Sequence, residues 1–88
     1  MNIIELYKML TKEKMVEALD FLRKASGAYR SNKETTANLM RNYMMGHKDL
    51  DIFLMNKDLV YSGFRKFNWI EADFDSAIRV LRNEIENS

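Results

Sequence analysis

The stretch LDIFLMNKDLVYSGF, residues 50–64, decides the fold class, because it is compatible with two short β-strands or with one helix. β-Branched and aromatic residues lie on both sides of the polar run Asn-Lys-Asp at 56–58, which is typical of a short hairpin. These flanking residues are Ile52, Phe53, Val60, Tyr61 and Phe64. The same stretch also supports a helix, since Leu50, Phe53, Leu54 and Tyr61 fall near one helical face. We predict the hairpin and keep the helix as the alternative.

Two helices are predicted at the start of the chain. The first is short, and its apolar face is Ile3, Leu6, Tyr7 and Leu10. The second begins after Thr11 as its N-cap and stops near Gly27, because glycine is favoured just past a helix C-terminus. The predicted apolar stripe of this second helix is Met15, Val16, Leu19 and Leu22.

The third predicted helix precedes residues 50–64. Ser31 and Glu34 have the spacing of a capping box at its start, and Gly46 marks its end. Its predicted inward face is Thr36, Ala37, Met40, Tyr43 and Met44. The side chains left to face outward are then Thr35, Asn38, Arg41 and Asn42.

A long last helix follows, with the apolar stripe Ile70, Phe74, Ala77, Ile78, Leu81 and Ile85. Asn68 with Glu71, or Asp73 one turn later, is its predicted cap. We therefore predict one compact, predominantly helical α+β domain over residues 1–88. It has three N-terminal helices, a short β-hairpin and a long C-terminal helix, the element order of a winged helix. The alternative is an all-α bundle of four or five helices.

The composition excludes several kinds of site. The 88 residues include no cysteine and one histidine, which removes disulfide scaffolds, thiolate metal sites and multi-histidine metal sites. No glycine-rich phosphate loop or zinc-protease motif is present, so we expect neither an enzyme nor a cofactor. No segment has the approximately 20 apolar residues of a membrane span, and we expect a cytoplasmic protein without membrane contact.

Charge is distributed unevenly along the chain. Residues 1–48 carry nine Lys or Arg against five Asp or Glu, whereas residues 49–88 carry five against eight. Within residues 21–48 there are six basic residues and a single acidic one, Glu34. Such asymmetry indicates a polar partner for the basic half.

The outward face of the third helix suggests that this partner is DNA. Asn pairs with adenine and Arg with guanine in the major groove, while Lys and Arg hold phosphates. The predicted nucleic-acid-binding residues are Lys24, Arg30, Lys33, Thr35, Asn38, Arg41, Asn42 and Lys48. The last helix could pair two copies into a homodimer.

A protein partner is the alternative hypothesis. Small inhibitors or adaptors of the kind found in phages and mobile elements bind a host protein, in some cases through acidic residues that imitate nucleic-acid phosphates. The predicted residues for this alternative are Met45, Asp49, Asp51, Trp69, Asp73 and Asp75. For both residue sets, an ordinary solvated surface and helix capping are the simpler interpretation.

Overall fold

The computed structural model describes residues 10–57 and 69–87, and every regular element in these two ranges is an α-helix. Helix α1 spans Lys12–Ser31, α2 spans Lys33–Met45, α3 spans Lys48–Met55 and α4 spans Glu71–Glu86. Helix α1 is central, because it packs on α4 and on α2, while α3 packs on α2. The predicted first-helix residues Ile3, Leu6 and Tyr7 lie outside the described ranges, as does the cap Asn68.

Helix α1 begins where the sequence predicts. The Thr11 hydroxyl oxygen accepts a hydrogen bond of 3.2 Å from the Lys14 N–H, which confirms Thr11 as the N-cap. The buried face of α1 consists of Met15, Ala18, Leu22 and Ala25. Val16, predicted on this face, is 50% exposed, because the buried stripe passes through the two alanines instead.

The predicted end of this helix at Gly27 is wrong, since α1 continues to Ser31. Tyr29 lies two residues beyond Gly27. It packs against Phe74 of α4, with the two ring centroids 5.5 Å apart. This contact stabilises the last turn of α1 against α4. The gain from packing outweighs the low helix propensity of one glycine, which is about 1 kcal/mol relative to alanine.

Asn32 is the single residue between α1 and α2, and it caps both helices. Its N–H donates to the Ala28 carbonyl oxygen at 2.9 Å, and its Oδ1 accepts from the Thr35 N–H at 3.0 Å. The predicted cap at Ser31 is therefore wrong by one residue, since Ser31 is the last residue of α1. The predicted end of α2 at Gly46 is confirmed.

The hairpin predicted for residues 50–64 is wrong at its first strand, because residues 50–55 belong to helix α3. Leu50, Phe53 and Leu54 have the i, i+3, i+4 spacing of one helical face, and all three are 1–2% exposed. Burial of this face favours the helix over the strand that Ile52 and Phe53 suggested. The α+β fold and the winged-helix order are wrong, because a helix occupies the place of the first strand; the all-α alternative fits. Residues 58–64 of this stretch lie outside the described ranges.

Helix α4 buries Phe74, Ala77 and Leu81, as its stripe predicts. Its N-cap is Ile70, and Asp73 occupies the third helical position, where its Oδ2 accepts from the Ile70 N–H at 3.0 Å. Asp73 therefore stabilises the helix start without being the N-cap that we predicted. Ile70 itself, predicted on the buried stripe, is 54% exposed.

The four helices of residues 10–57 and 69–87 enclose a hydrophobic core. Its large buried side chains include Phe53 from α3, Phe74 from α4 and Met40 from α2. Trp69 is only 2% exposed, and its ring centroid lies 5.0 Å from that of Phe74. Among the described helices, none has the length and apolar character that crossing a membrane requires.

Candidate functional site

A groove of about 490 Å³ runs along one flank of α2, facing the end of α1 and the start of α4. We call it the α2 groove. Its lining residues are Tyr29, Lys33, Glu34, Ala37, Asn38, Arg41, Trp69 and Ile70. Three of them, Lys33, Asn38 and Arg41, belong to the predicted nucleic-acid-binding set, and Trp69 belongs to the alternative set.

The α2 groove combines positive charge with an apolar wall. The Lys33 ammonium lies 5.8 Å from the centre of the Tyr29 ring, within the range of a cation–π contact. Among the groove's described lining residues there are two cations, Lys33 and Arg41, and one carboxylate, Glu34. Ile70 adds an exposed apolar edge. The described lining of the groove therefore includes both charged and apolar side chains.

The exposed face of α2 adjoins this groove. Thr35, Asn38 and Asn42 are exposed and follow one another at i, i+3 and i+7, while Met40 and Met44 are buried on the opposite side. This spacing places the three polar side chains along one side of the helix. Asn38 belongs to both the exposed face and the groove, so the two surfaces are continuous.

The remaining predicted cations are partly balanced by carboxylates. Lys24 pairs with Asp20 at 3.0 Å within α1, and Arg30 pairs with Glu71 of α4 at 3.4 Å. Both pairs are largely solvent-exposed, and such pairs contribute little to stability, so a phosphate can replace the carboxylate at low cost. Lys48 is exposed at the first position of α3.

The residues of the alternative set have different environments. Met45 is 67% exposed at the end of α2, whereas Trp69 is buried in the core. Asp49 is paired with Lys14, and Asp73 caps α4, so both carboxylates act within the chain. Asp51 lies in the first turn of α3, and Asp75 is exposed on α4.

A second cavity, of about 270 Å³, lies where α1 meets the α2–α3 connection. The Lys14 ammonium and the Asp49 carboxylate are 2.8 Å apart there. Partial burial raises the pKa of Asp49, but the hydrogen bond from Lys14, those from backbone N–H groups and the Lys14 charge outweigh it, so the pKa lies below its ordinary value. The same hydrogen bond and the Asp49 charge raise the pKa of Lys14.

Tyr43 lies between two other rings beside this cavity. Its ring centroid is 3.8 Å from that of Phe21 and 4.0 Å from that of His47, and all three rings are nearly parallel. The His47 Nδ1 donates to the Tyr43 carbonyl oxygen at 2.8 Å, which requires a proton on Nδ1. Burial, followed by the negative charges of Glu17 and Asp49, raises the pKa of the Tyr43 hydroxyl.

This stack was not predictable from local sequence, because Phe21 and Tyr43 are distant in the chain. His47, predicted as a helix C-terminal residue, is the N-cap of α3 and follows the α2 C-cap directly. The stack joins α1, α2 and the start of α3. We therefore interpret it as a packing contact that stabilises these three helices against one another. Within residues 10–57 and 69–87, no three His, Cys, Asp or Glu side chains group together as metal ligands.

The groove residues Tyr29, Ala37 and Ile70 were also missed as site residues. The helical periodicity of the sequence assigns Ala37 and Ile70 to the core. Only the packing of three helices shows that these residues border a groove. No protein-family model, curated protein or solved structure matches this chain.

Proposed function

We propose that this chain is a non-catalytic binding domain that places the exposed face of α2 on duplex DNA. The observation that supports the proposal is the set of exposed polar side chains Thr35, Asn38 and Asn42, which surround the exposed Leu39, with Arg41 beside them. Asn amides and Arg guanidinium groups form paired hydrogen bonds with adenine and guanine edges, and the major groove admits one helix.

The charges around α2 suit this docking. Lys33 at the start of α2 and Lys48 just beyond its end provide cations near both ends of the helix. Glu34 is the one carboxylate on α2, and it lines the α2 groove. Its negative charge repels the phosphates of a duplex bound there. Phosphate contacts from Lys and Arg fix the position of a protein on the duplex, while base contacts give specificity.

A salt titration of duplex binding tests the proposal. With the four cations Lys24, Arg30, Lys33 and Lys48 on phosphates, we expect log affinity to fall with log salt at a slope of about −3 to −4. Lys33→Gln and Lys48→Gln should each reduce the size of that slope by about one. Arg82→Gln, which removes an exposed cation of α4, is the matched control and should leave the slope unchanged. Absence of duplex binding at low salt would refute the proposal.

The asparagines provide a separate test of base recognition. On the sequence that the protein selects from a random duplex library, Asn38→Ala or Asn42→Ala should cost about 1–3 kcal/mol of binding free energy, without changing the salt slope. Asn83→Ala on the exposed side of α4 is the control and should bind as the wild-type chain does. Equal losses on selected and unselected duplexes would contradict base recognition by these side chains.

A protein partner is the second candidate function, and the exposure of Met45 favours it. Exposed methionines adapt to apolar partner surfaces. In a pull-down from its native host, the chain should then recover one protein in stoichiometric amount. Met45→Glu should abolish that recovery. Arg41→Gln should not affect it, and Met55→Glu, at another exposed methionine, is the control.

A further inference from the structure

Leu39 is an apolar side chain on the exposed face of α2, and 44% of it is exposed. It lies one helical turn after Thr35 and one turn before Asn42, so the three side chains are neighbours on the helix surface. Among the residues that the structure describes, none forms a hydrogen bond with the Thr35 hydroxyl or the Asn42 amide. Leu39 is therefore flanked by two side chains whose hydrogen-bonding groups are available to a ligand.

The core does not account for the position of Leu39. The buried residues of α2 are Thr36, Met40 and Met44. A single exposed leucine is ordinary on a protein surface. Here, however, a duplex that contacts Thr35 and Asn42 also covers Leu39, so this side chain needs an apolar group of the duplex opposite it.

We propose that Leu39 contacts the C5-methyl group of a thymine in the bound duplex and thereby selects thymine at one position of the site. Among the groups that base edges present in the major groove, this methyl group is the apolar one. The inference rests on the proposed function, because the thymine belongs to the duplex that the exposed face of α2 binds.

The neighbours of Leu39 support a thymine at this place. Asn42 can pair with adenine, and the thymine of an A·T pair presents its methyl group in the same groove. Leu39 and Asn42 are three residues apart on the helix, which places their Cβ atoms about 5–6 Å from each other. The two side chains can therefore contact one base pair, or two adjacent pairs, at the same time.

An apolar surface of a protein is the other possible occupant, and the arrangement of α2 favours it less. Protein interfaces concentrate their binding energy in clustered side chains at a desolvated centre. The other exposed large apolar residue of α2 is Met45, which lies about 120° from Leu39 around the helix. The amides of Asn38 and Asn42 lie between them, so Leu39 and Met45 do not form one apolar patch.

Replacement of thymine by deoxyuridine tests the inference, because it removes the methyl group and keeps the hydrogen-bonding groups of the base. The probe is the duplex that the protein selects from a random library, with each thymine replaced in turn. We expect replacement at one position to weaken binding about 3- to 5-fold, the effect of roughly one buried methyl group. Replacement at the other positions should leave the affinity unchanged.

Variants of Leu39 connect this effect to the side chain. Leu39→Ala keeps a strong helix former and should bind the thymine and deoxyuridine duplexes equally. Its affinity for the deoxyuridine duplex should be close to that of the wild-type chain. Leu39→Met, with a side chain of similar size, should retain the preference for thymine. Val16→Ala, at a similarly exposed apolar residue of α1, is the matched control and should also retain it.

The outcomes separate this inference from the proposed function. If the duplex binds but its selected site contains no thymine, or no replacement weakens binding, the inference is wrong and the proposed function stands. If Leu39→Ala keeps the preference for thymine, the methyl group contacts another side chain, which overturns the inference. If Leu39→Ala keeps that preference and also loses a protein recovered by pull-down, Leu39 belongs to a protein interface. If no duplex binds at low salt, both the inference and the proposed function are wrong.

Discussion

The hydroxyl of Thr36 donates a hydrogen bond of 2.8 Å to the backbone carbonyl oxygen of Asn32. Thr36 is buried, so this bond satisfies a polar group that would otherwise be costly inside the core. The Thr36 N–H also donates to the same oxygen at 3.2 Å. The Asn32 N–H also donates to Ala28, and the Asn32 Oδ1 accepts from the Thr35 N–H. Together these bonds fix the one-residue connection between α1 and α2.

Replacement of Asn32 by alanine should weaken this corner. Asn32→Ala removes the side-chain oxygen that accepts from the Thr35 N–H, and the loss of such an N-cap costs about 1 kcal/mol. The measurement is the free energy of unfolding from urea titration followed by circular dichroism. Asn42→Ala, in the exposed middle of the same helix, is the control, and it should be neutral or slightly stabilising. A fully stable Asn32→Ala protein would show that the cap does not contribute.

Gly27→Ala should stabilise the protein by about 0.5–1 kcal/mol. Gly27 lies inside α1 with an ordinary negative φ, and a Cβ added there meets no atom within 4 Å. Alanine therefore gains helix propensity without a clash. Thermal unfolding gives the sign directly. A lower midpoint than that of the wild-type chain would mean that helix α1 does not continue through residue 27 in solution.

Phe53→Ala and Ile52→Ala together test the helix over Lys48–Met55. Phe53 is fully buried, and its truncation should cost about 3–5 kcal/mol, whereas the partly exposed Ile52 should cost clearly less. A strand would alternate its faces and bury Ile52 together with Leu50 and Leu54. A larger loss for Ile52→Ala in urea unfolding would therefore favour the hairpin over the helix.

The pair Lys14–Asp49 should make stability depend on pH in the acid range. The folded pKa of Asp49 lies below its ordinary value of 3.8, since Lys14 and backbone N–H groups outweigh the effect of burial. Ionised Asp49 therefore stabilises the fold above that ordinary value, and the contribution is lost as the pH falls through the folded pKa. We expect Asp49→Asn to be less stable than the wild-type chain at pH 7.

That difference should shrink steadily below pH 4, where the wild-type carboxylate is also neutralised. In the Asp49→Asn protein, the further change Lys14→Gln should have little effect, because its charge partner is already gone. A stability difference that stays constant from pH 7 to pH 2 would show that Asp49 acts through packing and not through its charge.

Helix ends with local signals were predictable from sequence, and those determined by packing were not. Thr11 caps α1 through a residue three positions away, so sequence spacing alone identifies it. Gly27 looks like a helix end, but Tyr29 meets Phe74, a residue of a different helix. Ser31 and Asn32 are both good caps, and only the packing of α1 against α2 decides between them.

The candidate site shows the same limit. The spacing of Asn38 and Asn42 predicts their shared outward face, because helical periodicity is a local property. The α2 groove is not local, since Tyr29, Ala37 and Ile70 come from three parts of the chain. The pairing of Arg30 with Glu71 likewise joins the basic half to the acidic half, which a count of charges along the sequence does not show.

Trp69 gives the protein a built-in optical reporter. It is the single tryptophan of the chain, it is buried beside Phe74, and it also lines the α2 groove. All indole emission therefore originates from one place. Detachment of α4 should shift that emission to longer wavelength, whereas an occupant of the groove should change its intensity in the intact fold. One unlabelled sample can thus distinguish loss of structure from ligand capture.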